Sequence, residues 1–555
     1  MRKRVVIVGG VAGGMSCAAR LRRLDESLEV TVFEKGPDVS FANCGMPYFI
    51  GGEIEDRAMM NVQTAEGMSA RYGISVKTRH EVLRIDRDAH EVEVRNLETA
   101  QTFRQAYDYL VVAPGAAPIC PPLPGADGDK VYTLSNLVDM DAITAAADNA
   151  KHACVIGGGF IGLEMAESLH RRGLEVTVVE MLDHVMPPLD VEMAQPLHAE
   201  LRGKGIALHL ESKAEAITAD GKVQLGGGGT IHSDLVVMSV GVRPRTAIMH
   251  DAGITCNERG YIKVDEHLRT SDPDIFAVGD AVEVKNLVTG QPAMIPLAGP
   301  ANRQGRIVAD NICGRDVTYH GSQGTSILRL FSLAVGQVGL NEHQVRAAML
   351  PYHRIYVHPT QHPNYFPGAT PIDVKLLFTP EGRILGAQAV GAEGVETLID
   401  VIATAQRHNL TTEDLEHLEL AYSPQWGAAK HPVNMVGFVA SNVLRGDVEL
   451  VEADAQPDDI LFLDVRNPPE LEETGTVPGA AHIPLDQLRE RYEELPKKRR
   501  IGVFCAVGLR GYIAYRFLKQ HGYDVVNLDG GFRTLKCMEG SGACAPATWP
   551  GQGGG

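Results

Sequence analysis

The sequence predicts an α/β protein of several domains, and three observations carry that prediction. Two β-branched runs are each followed by a glycine-rich loop, a helix and a second strand that ends in glutamate, the pattern of a βαβ nucleotide-binding unit. Residues 326–446 mix strand-like and helical segments without such a loop, which is typical of an α+β domain. Three more buried strands, at residues 460–463, 501–504 and 525–528, predict a small C-terminal α/β domain.

The composition is that of an ordinary globular protein. The chain has 555 residues, 44% hydrophobic and 22% charged, and its length favours three to four domains. A net charge of −18, with no Lys/Arg-rich stripe, argues against nucleic acid as a partner. No apolar run approaches the roughly 18 residues of a membrane span, so we expect no such span.

Nine cysteines are scattered along the chain without the Cys or Cys/His spacing of a zinc site. They predict neither a disulfide scaffold nor a metal site, and they favour a reducing cytoplasm. The basic start of the chain and the apolar run after it mimic a signal peptide. We reject that interpretation because the glycines of this run stand where a nucleotide loop needs them.

The first βαβ unit begins at the N-terminus. A strand over residues 4–8 leads into the loop at residues 9–14 and a helix to about Leu24, and the next strand ends in Glu34. Such a loop offers backbone N–H groups and a helix N-terminus to a pyrophosphate, while the glutamate can bond a ribose hydroxyl. Val11 stands at the middle glycine position, so the loop taken alone is equally compatible with a structural turn.

The second unit fits the pattern fully. Gly157, Gly159 and Gly162 have GxGxxG spacing, and Glu180 ends the following strand. A third strand-like stretch at residues 274–280 then returns the chain to the first domain and supports the first loop as a nucleotide site. Two dinucleotide sites on one chain imply that one cofactor passes hydride to another.

Together these segments resemble the FAD-dependent pyridine nucleotide-disulfide oxidoreductases over about residues 1–446. The resemblance rests on residues 8–14, 113–115, 157–162, 241–244 and 270–280. It implies Rossmann-like domains for FAD and NAD(P)H and a third domain that builds a homodimer with active sites shared across the interface. The implied ranges are 1–115 and 245–325 for FAD, 116–244 for NAD(P)H and 326–446 for dimerisation.

The resemblance also assigns cofactor positions residue by residue. Those for FAD are Gly9, Gly10, Val11, Ala12, Gly13, Glu34, Lys35, Asn43, Ala113, Gly115, Gly279 and Asp280. Those for NAD are Gly157, Gly159, Phe160, Ile161, Gly162, Glu180 and Gly241. Glu180 would repel a 2′-phosphate, which favours NADH over NADPH.

Cys44 lacks the second cysteine of a dithiol reductase. Pro47 and Phe49 occupy the CxxC and CxxxxC spacings, and residues 40–48 instead resemble the single-cysteine branch of the family. That branch contains coenzyme A-disulfide reductases, NADH oxidases and peroxidases, and NADH-dependent persulfide reductases. The resemblance implies that Cys44 is the redox thiolate, and a flavin and a helix dipole can lower its pKa.

Residues that bind the phosphates of coenzyme A would distinguish a coenzyme A-disulfide reductase from an NADH peroxidase. Ser16, Arg20 and Arg23 share one face of the first helix. By resemblance, they match positions that bind coenzyme A phosphates in coenzyme A-disulfide reductases. Solvated cations that only complement the helix dipole would look the same. The resemblance adds three further coenzyme A positions, Ser40, Asn43 and Lys430. The two residues after Lys430 are His-Pro where the family usually has Asp-Pro, so the contacts near this loop stay open.

Tyr365 and Tyr422 resemble the tyrosine pair that reaches the active cysteine of the second subunit in this family, so both are candidate catalytic residues. Their phenol groups could donate hydrogen bonds to a thiolate or to the leaving sulfur. Core aromatic residues with a solvated tip would look the same in sequence.

A second reactive cysteine, Cys505, follows a buried strand and precedes a helix. Its loop points successive N–H groups inward around the sulfur. Together with the segments at residues 464–466, 478–484 and 528–531, it makes residues 457–540 resemble a rhodanese domain. The resemblance implies Cys505 and Arg510 as catalytic residues. Four residues separate them, where a cysteine phosphatase has five, so the smaller ring suits a sulfane sulfur.

The segments around this domain are polar or rich in glycine. Residues 447–456 are expected to be a linker, and residues 541–555 a disordered tail.

The two cysteines predict one pathway. Cys505 would hold a sulfane sulfur, and NADH, through FAD, would regenerate the Cys44 thiolate that attacks a persulfide, a polysulfide or a disulfide of coenzyme A. A water-forming NADH oxidase or peroxidase, cycling through a Cys44 sulfenic acid, is one alternative. A non-catalytic redox sensor or sulfur carrier is the other.

Overall fold

The computed structural model describes residues 2–454 and 459–540, and the chain divides into two compact units. The first unit comprises Met1–Met181 and Ile206–Gly324, and the second comprises Leu182–Gly205 and Thr325–Gly555. The expected disordered tail at 541–555 lies outside the described residues.

The first unit contains two five-stranded parallel sheets, each built around one glycine loop. In spatial order the first has Ile275–Ala277, Tyr109–Val112, Arg4–Val8, Glu29–Phe33 and Ser75–Lys77. The second has Ala207–His209, Glu175–Val179, His152–Ile156, Leu235–Met238 and Val131–Tyr132. These sheets confirm the two predicted Rossmann-like units, and the third predicted strand joins the first sheet.

Smaller sheets and helices complete the first unit. The small sheets are His80–Asp86 with Glu91–Asn96 and Thr102–Ala106; Ala214–Ile217 with Val223–Leu225 and Thr230–Ile231; Ala116–Pro118 with Val242–Pro244; and Ile262–Lys263 with Val282–Lys285 and Pro292–Ala293. The α-helices are Ala12–Leu24, Met46–Ile50, Ala65–Tyr72, Leu137–Ala147, Phe160–Arg171, Ala247–Asp251 and Ala298–Ile312, and the 3-10 helices are Asn43–Gly45 and Arg57–Met60.

The second unit holds the predicted α+β and C-terminal domains. Its antiparallel sheet has the order Ser326–Leu330, Leu333–Gly339, Ile384–Gly391, Ile372–Phe378 and His353–Val357. Its parallel sheet has the order Leu450–Val451, Val525–Leu528, Arg500–Phe504, Ile460–Asp464 and Ala481–His482. The helices are Val191–Gly203, Glu342–Ala347, Val395–Arg407, Thr412–His417, Pro432–Leu444, Pro468–Thr474, Leu485–Arg491, Leu509–Gln520 and Gly531–Met538, with a 3-10 turn at Tyr492–Glu494.

The predicted linker at residues 447–456 contains a strand. Leu450–Val451 pairs in parallel with Val525–Leu528 at the edge of the C-terminal sheet. The sheet therefore begins before residue 457. A strand of two residues is too short for its sequence to show a strand pattern.

A close contact between two helices positions the first glycine loop. The Ala12–Leu24 helix packs along the Ala298–Ile312 helix, and a Cβ added at Gly305 would lie 2.2 Å from the carbonyl oxygen of Gly13. Only glycine permits this approach.

Across the described residues, no helix combines the length and apolar character needed to cross a bilayer.

A buried lysine holds the Leu182–Gly205 segment in the second unit. Lys375 Nζ lies 2.8 Å from Asp190, 2.5 Å from Glu192 and 2.7 Å from Glu342. Burial by itself lowers the pKa of Lys375, but the three carboxylates outweigh burial and raise it. Sequence places this segment within the 116–244 domain, whereas these long-range ion pairs join it to the antiparallel sheet.

Replacing Lys375 with Met should lower the free energy of unfolding of the second unit by about 3–5 kcal/mol, because buried carboxylates lose their counter-charge. Protonation relieves that repulsion, so we expect a smaller loss at about pH 5 than at about pH 8. Urea unfolding followed by circular dichroism measures both values. Lys204→Met, at the exposed end of the Val191–Gly203 helix, is the matched control and should change stability by less than about 0.5 kcal/mol. Equal losses in the two variants would contradict this role.

Candidate functional site

The first glycine loop closes tightly against a neighbouring strand end. Gly9 has a φ of +100°, and a Cβ there would lie 2.0 Å from the carbonyl oxygen of Ala113. Val11 has a φ of −112°, which any residue adopts, so the position does not require glycine. The Glu34 carboxylate accepts the N–H of Gly10 at 2.7 Å. The loop thus has the tight turn and the acidic partner that a dinucleotide site needs.

The remaining predicted residues of this loop region follow the ends of parallel strands. Ala12 and Gly13 begin the first helix. Gly115 and Gly279 have φ values of +64° and +84°, beyond the ends of two neighbouring strands. Asp280 comes next, and burial raises the pKa of its carboxyl group. These positions gather at the carboxyl edge of the sheet, where ligands of open α/β sheets bind.

The second glycine loop is tightly packed at Gly157 and Gly162 and open at Gly159. A Cβ at Gly157 would lie 2.5 Å from the carbonyl oxygen of Ser239, and one at Gly162 would lie 1.9 Å from that of Gly157. A Cβ at Gly159 would meet no atom within 4 Å. The buried Glu180 carboxylate accepts the N–H of the residue after Gly157 at 2.6 Å. This cradle fits a pyrophosphate at the start of a helix.

Three further predicted residues border the second loop. Phe160 and Ile161 form the first turn of the Phe160–Arg171 helix, and Ile161 is exposed. Gly241 has a φ of +114°, and its carbonyl oxygen accepts the N–H of Ile119 at 2.9 Å.

Cys44 lies in the short helical turn Asn43–Gly45, directly before the Met46–Ile50 helix. Both Asn43 and Cys44 are exposed. Ser40 has a φ of +48° and donates its backbone N–H to the carbonyl oxygen of Gly10 at 2.8 Å. This hydrogen bond connects the Cys44 segment to the first glycine loop.

The chain by itself disfavours the Cys44 thiolate. Desolvation and the carboxylates of Glu164 and Asp280 raise the pKa of the thiol. Tyr48 donates its hydroxyl to Glu164 at 3.0 Å. The sequence predicts a lowered pKa for Cys44 from a flavin and a helix dipole. That prediction does not include Glu164 and Asp280, which approach Cys44 only in the folded chain.

Two predicted coenzyme A contacts already have partners within the chain. Ser16 Oγ lies 2.5 Å from Asn302 Oδ1. Arg20 donates to the Asp310 carboxylate at 2.8 Å, and the Arg20 side chain is only 15% exposed. Arg20 is therefore not a solvated cation that only complements the helix dipole, because the ion pair with Asp310 keeps its side chain mostly buried.

The other predicted binding cations are exposed. Arg23 lies in the last turn of the first helix, and Lys430 lies just before the Pro432–Leu444 helix. Lys35 pairs with Glu81 at 2.7 Å. His431, which replaces the family's Asp, caps the following helix by accepting the N–H of Val433 on its ring nitrogen at 3.2 Å.

The second unit brings the two predicted tyrosines together. The hydroxyl oxygens of Tyr365 and Tyr422 lie 3.2 Å apart, and both side chains are exposed. That hydrogen bond raises the pKa of Tyr365. Exposure excludes the core-aromatic alternative for both residues.

The Cys505 loop forms a compact sulfur cradle. Cys505 is 1% exposed, and the backbone N–H of Gly508 points at its Sγ at 3.2 Å. Gly508 has a φ of +98°, and the Leu509–Gln520 helix begins directly after it. The carbonyl oxygen of Cys505 accepts the N–H of Phe532 at 2.8 Å. The Gly508 N–H and the start of the Leu509–Gln520 helix therefore lie at this sulfur.

Sequence reasoning missed the partner of Arg510. The Glu470 carboxylate accepts hydrogen bonds from Nη2 and Nη1 of Arg510, at 2.6 and 2.7 Å. Glu470 is also the third residue of the Pro468–Thr474 helix and completes a capping box with Asn467. The spacing from Asn467 to Glu470 signals the cap. Nothing local signals a partner 40 residues away.

Comparisons with known proteins cover every described domain. Residues 3–305 match the pyridine nucleotide-disulphide oxidoreductase family, residues 326–430 the dimerisation domain of these proteins, and residues 447–536 the rhodanese-like domain. A coenzyme A disulfide reductase of Staphylococcus aureus (strain JH9) is 35% identical over 441 residues, 79% of this chain and 99% of that protein.

Two solved structures match almost the whole chain. The reduced CoADR-RHD of Bacillus anthracis is 44% identical with a TM-score of 0.95, and the match covers 97% of this chain and 98% of that chain. The NAD-dependent persulfide reductase from A. fulgidus is 36% identical with a TM-score of 0.91, over 96% of this chain and 99% of that chain.

Replacing Glu164 with Gln should lower the pKa of Cys44, because one nearby negative charge disappears. The rate of Cys44 alkylation by iodoacetamide, followed by mass spectrometry across pH, reports the thiolate fraction, and its midpoint should move to lower pH. Glu175→Gln, at a largely exposed glutamate of the same unit, is the control and should leave the midpoint in place. An unchanged midpoint in Glu164→Gln would show that Glu164 does not act on Cys44.

Proposed function

We propose that this chain, which belongs to the pyridine nucleotide-disulphide oxidoreductase family, uses NADH to reduce coenzyme A persulfide, polysulfide or coenzyme A disulfide through Cys44. The proposal rests on three features that occur in one chain. These are two loops of dinucleotide-binding type, the exposed Cys44 next to the first loop, and the buried Cys505 in a rhodanese-like loop. The similarity to a CoADR-RHD and to a persulfide reductase over nearly the full chain supports it.

The cofactor assignments follow the two loops. The first loop with Glu34 would hold FAD, and the second loop with Glu180 would hold NADH. FAD, when bound, passes the electrons of the nicotinamide on to sulfur. The buried carboxylate of Glu180 disfavours a 2′-phosphate, which supports NADH over NADPH.

Cys44 would perform the sulfur chemistry. Its thiolate attacks the disulfide of the substrate, which forms a Cys44 mixed disulfide and releases one thiolate. Two electrons from NADH then break that bond, restore the Cys44 thiolate and release the second product as a thiol. With a persulfide, attack on the outer sulfur leaves a Cys44 persulfide, and its reduction releases hydrogen sulfide.

Surrounding residues would orient the substrate. Arg23, Ser40, Asn43 and Lys430 would contact coenzyme A, while Ser16 and Arg20 would do so from positions already fixed by Asn302 and Asp310. The matched dimerisation domain supports a homodimer. We place the exposed Tyr365–Tyr422 pair at the Cys44 site of a second copy, where the hydroxyls donate to a thiolate.

The C-terminal domain would handle sulfane sulfur, with Cys505 as the acceptor and Arg510 beside it. We propose domain ranges of 1–115 with 245–325 for FAD, 116–244 for NAD(P)H outside the Leu182–Gly205 segment, 326–446 for dimerisation and about 447–540 for sulfur transfer. A reducing cytoplasm, which keeps Cys44 and Cys505 as thiols, fits both roles.

Replacing Cys44 with Ser should lower NADH-dependent turnover of coenzyme A persulfide, coenzyme A disulfide and polysulfide by about 10³-fold or more, because the nucleophile is lost. Anaerobic NADH consumption is measured with the three substrates in parallel, and sulfide is recorded. Cys120→Ser, at another exposed free cysteine, is the control and should retain full activity. NADH consumption only after oxygen or peroxide is admitted would overturn the sulfur assignment in favour of an oxidase.

Replacing Cys505 with Ser should separate the two domains' roles. We expect coenzyme A disulfide reduction to stay within about twofold of the unchanged protein, because Cys44 suffices for that reaction. Sulfur transfer from a persulfide to cyanide, measured as thiocyanate, should disappear. Loss of coenzyme A disulfide reduction in this variant would contradict the division of labour.

A further inference from the structure

Three arginines near the Cys505 loop are each paired with a carboxylate. Arg510, within the loop region, is bound through both nitrogens by Glu470. Arg466, whose guanidinium lies 4.2 Å from the ring of Phe532, is bound by Asp464. Both groups of the Arg466–Asp464 pair are almost fully buried.

The third cation beside the loop is also neutralised. Arg533 donates its backbone N–H to the carbonyl oxygen of Ala506 at 3.0 Å, so it adjoins the loop. Its guanidinium is bound by the buried Asp373 carboxylate, at 2.6 and 2.8 Å. Each of these three arginines near the Cys505 loop is therefore paired with a carboxylate.

Such a cradle distinguishes sulfur donors by charge. The Gly508 N–H, at the start of the Leu509–Gln520 helix, can stabilise one negative charge on Cys505 Sγ. A thiosulfate dianion brings a second charge on its sulfonate group, and removing that charge from water is costly without a free cation. A persulfide of an uncharged alkyl thiol carries a single charge at the reacting sulfur pair.

We propose that Glu470 determines the donor specificity of the Cys505 site, by neutralising Arg510 so that the site accepts alkyl persulfides and discriminates against thiosulfate. This inference rests on the proposed sulfurtransferase role of Cys505. Glu470 acts through Arg510 and not on the sulfur itself. Its hydrogen bond is the foremost contact that raises the pKa of the Arg510 guanidinium, and the charge of Cys505 acts in the same direction.

The reaction that the site performs balances with either donor. The Cys505 thiolate attacks the outer sulfur, the Sγ–S bond forms, and the donor's S–S bond breaks. An alkyl thiolate or sulfite leaves with the bonding electron pair, and Cys505 becomes a persulfide. Cyanide then attacks the outer sulfur, forms thiocyanate and restores the Cys505 thiolate, so no external oxidant or reductant is needed.

The Glu470→Gln variant isolates the charge. Gln at the third helical position also serves a capping box, so the cap on the Asn467 N–H survives. The experiment uses the full-length protein with cyanide as acceptor and measures kcat and KM for thiosulfate and for the persulfide of 2-mercaptoethanol. Glu472→Gln removes an exposed carboxylate from the same helix and is the matched control.

We expect the unchanged protein to favour the persulfide by about 100-fold or more in kcat/KM. Glu470→Gln should raise kcat/KM for thiosulfate by about tenfold, mainly through a lower KM, with less than about threefold change for the persulfide. The gained thiosulfate activity should weaken as salt is added, because it depends on an unpaired cation. The gain should vanish in the Glu470→Gln, Arg510→Gln double variant.

Equal use of both donors by the unchanged protein, or an equal effect of Glu470→Gln on both donors, would overturn the inference. A protein that reduces coenzyme A persulfide with NADH but transfers no sulfur to cyanide also overturns it, and leaves the reductase role of Cys44 standing. Selective sulfur transfer without any NADH-dependent reduction supports the inference and overturns that reductase role.

Discussion

The two dinucleotide sites and the Cys505 site depend on one interaction, hydrogen bonding from backbone N–H groups at the end of a parallel strand to an anion. Gly9, Gly157 and Gly508 each have a positive φ directly after or near such a strand, and a helix begins within a few residues of each. A loop of this shape presents amides without side chains and can face an anion closely. The proposed sites share this backbone arrangement, two of them for a pyrophosphate and one for a sulfur.

Pairing of buried charge is the second constraint. Lys375 lies among three carboxylates, and Asp464 and Asp373 each hold one arginine near the Cys505 loop. A buried charge without a partner would cost several kcal/mol, so these partners decide which charges remain available to a ligand. Cys44 stands in contrast, because Glu164 and Asp280 oppose its ionisation. Its environment in the chain alone favours the thiol.

Much of the fold and of the site follows from local pattern. The glycine loops, the strands beside them and the Cys505 loop each require particular residue types within about ten positions, so sequence predicts them. The Leu450–Val451 strand escaped prediction because two residues at a sheet edge carry little periodicity. The exposure of Tyr365 and Tyr422 and their mutual hydrogen bond also escaped it, because they are 57 residues apart.

The sequence by itself determined the order of domains, both dinucleotide loops and the two candidate redox cysteines, because each depends on short-range backbone geometry. Only the tertiary structure decided which charges meet. Arg20 with Asp310, Arg510 with Glu470 and Lys375 with its carboxylates join residues that are distant in the chain. Sequence spacing does not show which distant charges become partners. They meet because their helices and strands pack together, and no local pattern in the sequence marks these pairs.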